Sequence, residues 1–154
     1  MSAPAHEALR VERVFAAAPD AVFDAWTNPA VLERWWGPAP GWRSGCEVDL
    51  RVGGRYLMRM SDPESGAELI VGGEYHEIER PRRLVYSWCW EGSAGPHPGH
   101  VSLVTVEFLD EGGSTRVIVE HTGLPSEQSR QQHAAGWNGT FDNLALRVFG
   151  GEQR

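Results

Sequence analysis

Two histidines of this sequence lie where they could act as acids or bases. His121 shares the alternation of Val119, and side chains of one parity point to one face of a strand, so it is expected to point into the protein. His76 shares the parity of Glu74 and is expected to point inward too, although Tyr75 competes for the apolar face. An inward histidine is either a general acid or base or a hydrogen-bonded core residue, and both interpretations are open.

Aromatic and methionine side chains form the second group of candidates. Trp35 and Trp36 are adjacent near the end of a predicted helix. They are expected either to wall a cavity mouth or to divide between the core and the sheet edge. Methionine adapts to varied apolar ligands, and aromatic rings bring large buried areas to cavities and cores alike. The candidates for a cavity floor, for which plain core packing is the alternative, are Tyr56, Met58, Met60, Tyr86, Trp88 and Trp90.

Motifs for metal, nucleotide or nucleophile chemistry do not stand out. His97 and His100 are close in sequence, but a Pro-Gly pair separates them in a predicted loop, and no cysteine or aspartate pair joins them. A phosphate-binding loop, a dinucleotide fingerprint and a nucleophile elbow are absent. Cys46 and Cys89 have no metal or redox spacing and are expected to be reduced. We therefore predict no metal, no cofactor and no assigned catalytic residue.

Composition and charge limit the partners of the protein. The chain has 154 residues, of which 41% are hydrophobic and 23% charged, so we expect one globular domain over residues 8–150 with a flexible tail over 1–7. A net charge of −7 disfavours nucleic acid and anionic membrane surfaces. The sequence has no signal segment and no run long enough to insert into a membrane, so a cytoplasmic monomer or homodimer is expected.

The longest predicted element is an amphipathic helix over Ser126–Phe149. Trp137 and Phe141 recur at helical spacing and begin its apolar face, whereas His133 is assigned to the polar residues outside that face. Gly136 lies inside the helix, where glycine costs about 1 kcal/mol. Together with Gly139, this glycine indicates either a close approach or a kink beside a cavity, or fraying of an early helical turn.

Alternating segments before this helix predict a sheet. Alternation with period two, joined by short glycine turns, is typical of an antiparallel sheet with one covered face. Two short helices beginning at Pro19 and Pro29 follow the first strand, and Gly92–Gly99 is expected to be a long loop. A bent sheet of this kind can wrap around the final helix and leave a gap between them. The predicted strands are Leu9–Ala16, Cys46–Val52, Tyr56–Met60, Leu69–Glu79, Leu84–Trp90, Val104–Phe108 and Val117–His121.

The chain carries an ordered set of short motifs. They are Pro19–Phe23, Trp26–Pro29, Leu32–Pro38, Val52–Tyr56, Gly73–Ile78 with Pro81, Arg83–Trp88, Val104–Phe108, and the pair Gly136-Trp137 with Leu144. This set resembles the START-like (SRPBCC) superfamily, and more narrowly the bacterial branch of the family named for the activator of the heat-shock-protein-90 ATPase. The resemblance implies the α+β helix-grip fold and a hydrophobic cavity between its bent sheet and its C-terminal helix. It implies no activity.

We predict a protein that binds a hydrophobic or aromatic small molecule in this cavity. One alternative is an enzyme of the cyclase or hydrolase type seen elsewhere in the superfamily, with His121, His76 or Glu74 as acid or base. Another is an interaction protein that acts on a chaperone or in a stress response, as the family name suggests. The predicted cavity lining is Trp35, Trp36, Tyr56, Met58, His76, Tyr86, Trp88, Val106, Val119, His121, Trp137 and Phe141.

Overall fold

The computed structural model describes residues 8–37, 41–91 and 99–149. The predicted tail over residues 1–7 and most of the predicted loop Gly92–Gly99, including His97, lie outside these residues. Within them the chain forms, in order, β1 (Leu9–Phe15), α1 (Pro19–Thr27), α2 (Pro29–Trp35), β2 (Arg43–Val48), β3 (Arg55–Ser61), β4 (Glu68–Glu79), β5 (Arg83–Glu91), β6 (Val101–Asp110), β7 (Thr115–Thr122) and α3 (Glu127–Arg147).

The strands form one antiparallel sheet in the order β1-β7-β6-β5-β4-β3-β2. The inner face is apolar, as the alternation predicts: β6, for example, buries every second residue along Ser102–Phe108. The second strand differs from the prediction, because it ends at Val48, and Leu50 and Val52 are 39% and 63% exposed. The chain turns there: the N–H of Asp49 donates to the carbonyl of Arg55, and the turn that follows carries these side chains away from the sheet.

The helices begin where the sequence predicts. Pro19 is in the first turn of α1, and the side chain of Asn28 accepts a hydrogen bond from the N–H of Ala30 at 3.1 Å to cap α2. Ser126 caps α3 in the same way. None of the helices in the described part of the chain combines the length and apolar character that a membrane crossing requires.

The long helix α3 lies across the inner face of the curved sheet, which confirms the helix-grip fold. Trp137, Phe141 and Leu144 are buried on its sheet-facing side. The ring of Phe141 meets that of Phe15 from β1 edge to face, at 5.8 Å between centroids. Because the sheet curves and the helix is straight, their contact closes tightly at this end and leaves room towards the N-terminal half of α3.

The inward orientation predicted for His76 is wrong. His76 and Glu74 are exposed on the outer face of β4, and Tyr75 is buried at 3% exposure instead. The Tyr75 ring packs against Tyr56, at 5.6 Å between centroids. Alternate residues of a strand point to opposite faces, so the large aromatic ring takes the inner face and its two polar neighbours take the outer one.

Gly73 of β4 marks a place where two strands approach too closely for any side chain. A Cβ atom at this position would collide with the carbonyl oxygen of Ser87 in β5. Gly73→Ala is therefore expected to destabilise the protein by about 1–3 kcal/mol, measured by urea unfolding. The control is Gly45→Ala in β2, where an added Cβ meets nothing within 4 Å. Equal effects of the two substitutions would contradict the packing argument.

Candidate functional site

A pocket of about 170 Å³ lies between the N-terminal half of α3 and strands β3, β4 and β5. We call it the tryptophan pocket, because four of its lining residues are tryptophans. Its walls are mostly apolar, and among the described residues no aspartate, glutamate or arginine lines it. The lining residues are Trp36, Met60, Leu69, Trp88, Trp90, Gln132, His133, Gly136, Trp137 and Thr140.

Three different elements bring the tryptophans together. Trp36 follows the last turn of α2, Trp88 and Trp90 share one parity of β5, and Trp137 comes from α3. The ring of Trp88 lies 5.3 Å from that of Trp137 and 6.1 Å from that of Trp36, between centroids. These distances are typical of aromatic clusters with favourable edge and tilted contacts. The walls therefore support one another.

Apart from His76, which is exposed on the outer face of β4 and lines no cavity, the predicted cavity residues divide into three groups. Trp36, Trp88 and Trp137 line the tryptophan pocket, as do Met60 and Trp90 from the predicted cavity floor. Tyr56, Met58 and Tyr86 line a second gap of only about 10 Å³, so this part of the predicted cavity is filled. The residues that line neither of these two spaces and are buried in the core are Trp35, Val106, Val119, His121 and Phe141.

The adjacent tryptophans point apart: Trp35 packs in the core, and Trp36 lines the tryptophan pocket, as the first interpretation of the pair expects for one of them. Trp35 is 1% exposed, and its indole N–H donates to the carbonyl of Ala25 at 3.0 Å. Trp36 leaves the helix with an extended backbone and turns to the pocket. Trp35 thus fixes α2 against α1, and Trp36 forms the wall.

His121 points inward, and both of its ring nitrogens are hydrogen-bonded. Its Nδ1 accepts from the indole N–H of Trp137 at 3.2 Å, since an indole nitrogen can only donate. Its Nε2 therefore carries the proton and donates to Ser102 Oγ at 2.8 Å. Burial, together with the neighbouring His133, lowers the pKa of His121 to about 3. His121 is a neutral, satisfied core residue at physiological pH.

His133 lines the pocket although the sequence places it with the polar residues of the helix; Leu69, Gln132 and Thr140 are the other lining residues that were not predicted. His133 is 6% exposed, its Nε2 accepts from the indole N–H of Trp90 at 2.9 Å, and its Nδ1 donates to the carbonyl of Ser129 at 2.8 Å. Its ring lies 5.1 Å from that of His121. The signal was present in the sequence, because His133 lies four residues before Trp137 and so one helical turn along the buried face.

The indole N–H groups of the pocket wall differ in their hydrogen bonding. Those of Trp90 and Trp137 each donate to a histidine. That of Trp88 is buried and has no hydrogen-bond partner in the structure. Leaving a buried donor unsatisfied costs about 1–3 kcal/mol. Trp88, which lines the pocket, therefore carries a buried donor that no described residue satisfies.

Other reactive side chains stay apart from the pocket. Within residues 8–37, 41–91 and 99–149, no group of three or more histidine, cysteine or acidic residues could hold a metal ion. His100 Nε2 lies 2.6 Å from the carbonyl oxygen of Gly123. Burial, and to a smaller degree the Glu33 carboxylate, raise the pKa of the Cys46 thiol to about 11, so this cysteine is a poor nucleophile.

Comparison with solved structures finds close relatives of this fold. A protein from Chromobacterium violaceum is 26% identical, with 90% of this chain and 94% of that chain covered and a TM-score of 0.79. The AHSA1 protein from Silicibacter pomeroyi is 28% identical, with 91% and 96% covered and a TM-score of 0.78. An HSP90 activator from Plasmodium falciparum is 24% identical, with 90% and 94% covered and a TM-score of 0.69.

No curated protein matches the sequence. The family described as Activator of Hsp90 ATPase homolog 1-like protein matches over residues 16–148. The match runs from the end of β1 to the residue after α3, and so includes every residue of the tryptophan pocket. The chain belongs to the family of Activator of Hsp90 ATPase homolog 1-like proteins.

Proposed function

We propose that this protein binds an uncharged, one-ring aromatic molecule in the tryptophan pocket. The observation that carries the proposal is a space of about 170 Å³ walled by four tryptophans. An apolar cavity of about 150 Å³ is known to admit benzene. The tryptophan pocket thus has the volume of one ring with a small substituent.

The charge of the ligand follows from the walls. Among the described residues, His133 is the titratable side chain that lines the pocket, and the ring of His121 packs behind it against both His133 and Trp137. Both ring nitrogens of each histidine are engaged. A charged ligand would lose its hydration without gaining a counter-charge, which is strongly unfavourable. Uncharged ligands are therefore favoured.

The same hydrogen bonds favour binding over acid–base catalysis. A general acid or base must reach the reacting group, with its pKa tuned towards the working pH. His121 has no free nitrogen and its pKa of about 3 is far from neutrality. His76 and Glu74 are exposed on the opposite face of the sheet. Among the described lining residues, none has a free group placed to move a proton, so the observations favour binding over the cyclase or hydrolase alternative.

The ligand is further expected to carry a hydrogen-bond acceptor. The buried N–H of Trp88 lacks a partner, and an acceptor oxygen that reaches it would remove the cost of leaving it unsatisfied. A ketone, ether or phenol oxygen on the ring is suitable. The corresponding hydrocarbon would fill the same space without this hydrogen bond.

The test compares acetophenone with α-methylstyrene, in which a CH2 group replaces the carbonyl oxygen and the number of heavy atoms is the same. Acetophenone is expected to bind about tenfold more tightly, as one net hydrogen bond of about 1–1.5 kcal/mol implies. Binding is measured by calorimetry and by the indole N–H resonances in two-dimensional NMR spectra. The Trp88 resonance, assigned from Trp88→Phe, is expected to move further downfield with acetophenone than with the hydrocarbon, whose ring causes only a ring-current shift. If neither compound binds, the proposed function fails; if both bind equally, only the acceptor is wrong.

The matched control for Trp88→Phe is Trp90→Phe. The indole N–H of Trp90 is already bonded to His133, so losing it should not change the ratio between the two ligands. Trp88→Phe should bring that ratio close to one. A ratio that falls equally in both variants would indicate a general loss of pocket shape.

The second candidate function is action on a chaperone ATPase, which the family description and the name of the Plasmodium protein both favour. It is tested by adding the purified protein to a bacterial heat-shock-protein-90 ATPase and measuring phosphate release. Stimulation that saturates with protein concentration supports this function. An unchanged rate, with no complex in analytical ultracentrifugation, would reject it.

A further inference from the structure

The positive charges of this chain are unevenly paired. All 14 of its cationic side chains are arginines, against 21 acidic residues, so acidic partners are abundant. Among the described arginines, Arg34, Arg43 and Arg147 form no ion pair, and Arg130 has another interaction. The arginines that do form ion pairs are Arg10, Arg13, Arg51, Arg55, Arg59, Arg80, Arg82, Arg83 and Arg116.

These three arginines line a single surface groove of about 580 Å³, which we call the arginine groove. Arg34 comes from the end of α2, Arg43 from the start of β2 and Arg147 from the last turn of α3. Trp42, Glu33 and Ser44 complete its lining. The groove shares no lining residue with the tryptophan pocket.

Hydrogen bonds hold the surroundings of the groove in place. Arg34 Nη2 donates to the carbonyl of Arg147 at 2.8 Å, which ties α2 to the end of α3. Ser44 Oγ donates to the carbonyl of Glu33 at 3.0 Å, and a Glu33 carboxylate oxygen accepts from the N–H of Cys46 at 3.3 Å. The one carboxylate of the groove is therefore directed to the backbone of β2, and the guanidinium groups are left without a carboxylate partner.

The charges of the groove match a doubly charged anion. Three guanidinium groups and one carboxylate give a local charge of +2 on a chain whose net charge is −7. Guanidinium groups present paired N–H donors that fit phosphate oxygens, and such charge-assisted bonds are about twice as strong as neutral ones. A phosphomonoester carries about −1.5 to −2 charges at neutral pH. Half-buried Trp42 adds an apolar surface beside them.

We propose that the arginine groove is a second ligand site, which binds the phosphate group of a small organic phosphomonoester. Arg43 and Arg147 supply the free guanidinium groups, Arg34 adds the remaining N–H donors that its bond to Arg147 leaves free, and Trp42 packs against the organic part. This site is independent of the tryptophan pocket, and its failure would leave the proposed function unaffected.

The test is calorimetric titration of the full chain with inorganic phosphate and with phenyl phosphate at low ionic strength, pH 7.5. Phenyl phosphate is expected to bind more tightly than inorganic phosphate, because only it can contact Trp42. Arg43→Gln and Arg147→Gln are each expected to weaken its binding about tenfold or more. The control is Arg59→Gln, which removes the same charge from an arginine that is paired with Glu47 on the neighbouring strand.

The outcomes separate a built site from general attraction. Equal losses in Arg59→Gln and Arg43→Gln would show that only net charge matters and would overturn the proposal. The absence of saturable binding of phenyl phosphate would also overturn the proposal. So would chloride that, at matched ionic strength, weakens the binding of phenyl phosphate equally in all three variants. Unchanged melting temperatures of the variants would confirm that each loss comes from the groove.

Discussion

Gly136→Leu is expected to abolish binding of one-ring aromatic ligands while leaving the fold intact. Gly136 lines the tryptophan pocket, and a Cβ added there meets nothing within 4 Å. A leucine side chain would thus extend into the space that the ligand needs, and we expect the affinity for acetophenone to fall by at least about 100-fold. Leucine also removes the cost of a helical glycine, about 1 kcal/mol, so the stability should not fall.

Two further variants make this experiment decisive. Ala135→Leu adds a comparable side chain on the exposed face of the same helical turn and should leave the affinity unchanged. Gly136→Ala should raise the free energy of unfolding slightly and lower the affinity only in part, because one methyl group fills little of the pocket. Binding that persists in a folded Gly136→Leu protein would show that the ligand site is elsewhere.

Gly136 also explains why the pocket exists at this place. A helix interior favours any ordinary residue over glycine, and the open space above Gly136 gives no packing reason for its presence. This differs from Gly73, whose neighbour Ser87 leaves no room for a side chain. Gly73 is required by the close approach of two strands. Gly136 leaves a volume unfilled, and a ligand site needs such a volume.

The sequence predicts the framework well because the framework depends on local periodicity. The alternation of most strands, the starts of the two short helices at Pro19 and Pro29, and the buried stripe of α3 all depend on residues close in sequence, and these features are found where predicted. The early end of β2 is a tertiary effect. Asp49 bonds to Arg55 and turns the chain, which overrides the continuing alternation.

The pocket lining could be predicted only in part, because a pocket depends on what the core leaves unfilled. Val106, Val119 and Phe141 point inward as predicted, yet other side chains fill the space around them. Hydropathy places His133 with polar residues, although its helical spacing from Trp137 indicates the buried face. The pairing of each histidine with an indole N–H requires the distances between α3, β5 and β7 and is invisible in the sequence.

Both histidine–tryptophan pairs depend on a neutral histidine that accepts a hydrogen bond from an indole N–H. Each ring nitrogen that accepts an indole N–H must stay unprotonated, so the neutral form of the histidine orients a wall of the pocket. Trp137 is held in this way by His121, and Trp90 by His133. Protonation of either histidine would replace an acceptor by a donor and set two donors against each other.

Acidification is expected to destabilise the protein through His121. Its pKa is about 3 in the folded state against about 6.5 in the unfolded chain. As the pH falls below about 6.5, the unfolded chain binds a proton that the folded protein does not. The free energy of unfolding therefore loses about 1.4 kcal/mol per pH unit from this group down to about pH 3, and the group has no effect above pH 7.

His121→Gln isolates this contribution in urea unfolding curves measured between pH 7.5 and 4.5. Glutamine keeps an acceptor for Trp137 and a donor for Ser102 but does not titrate, so the variant should lose less stability on acidification than the wild type, by about 2–3 kcal/mol over this range. His76→Gln is the matched control, since it makes the same substitution at an exposed position on the outer face of the sheet. If His121→Gln and the wild type lose stability in parallel, His121 is able to accept a proton in the folded protein. Its hydrogen bonds to Trp137 and Ser102 would then be too weak to hold the wall of the pocket.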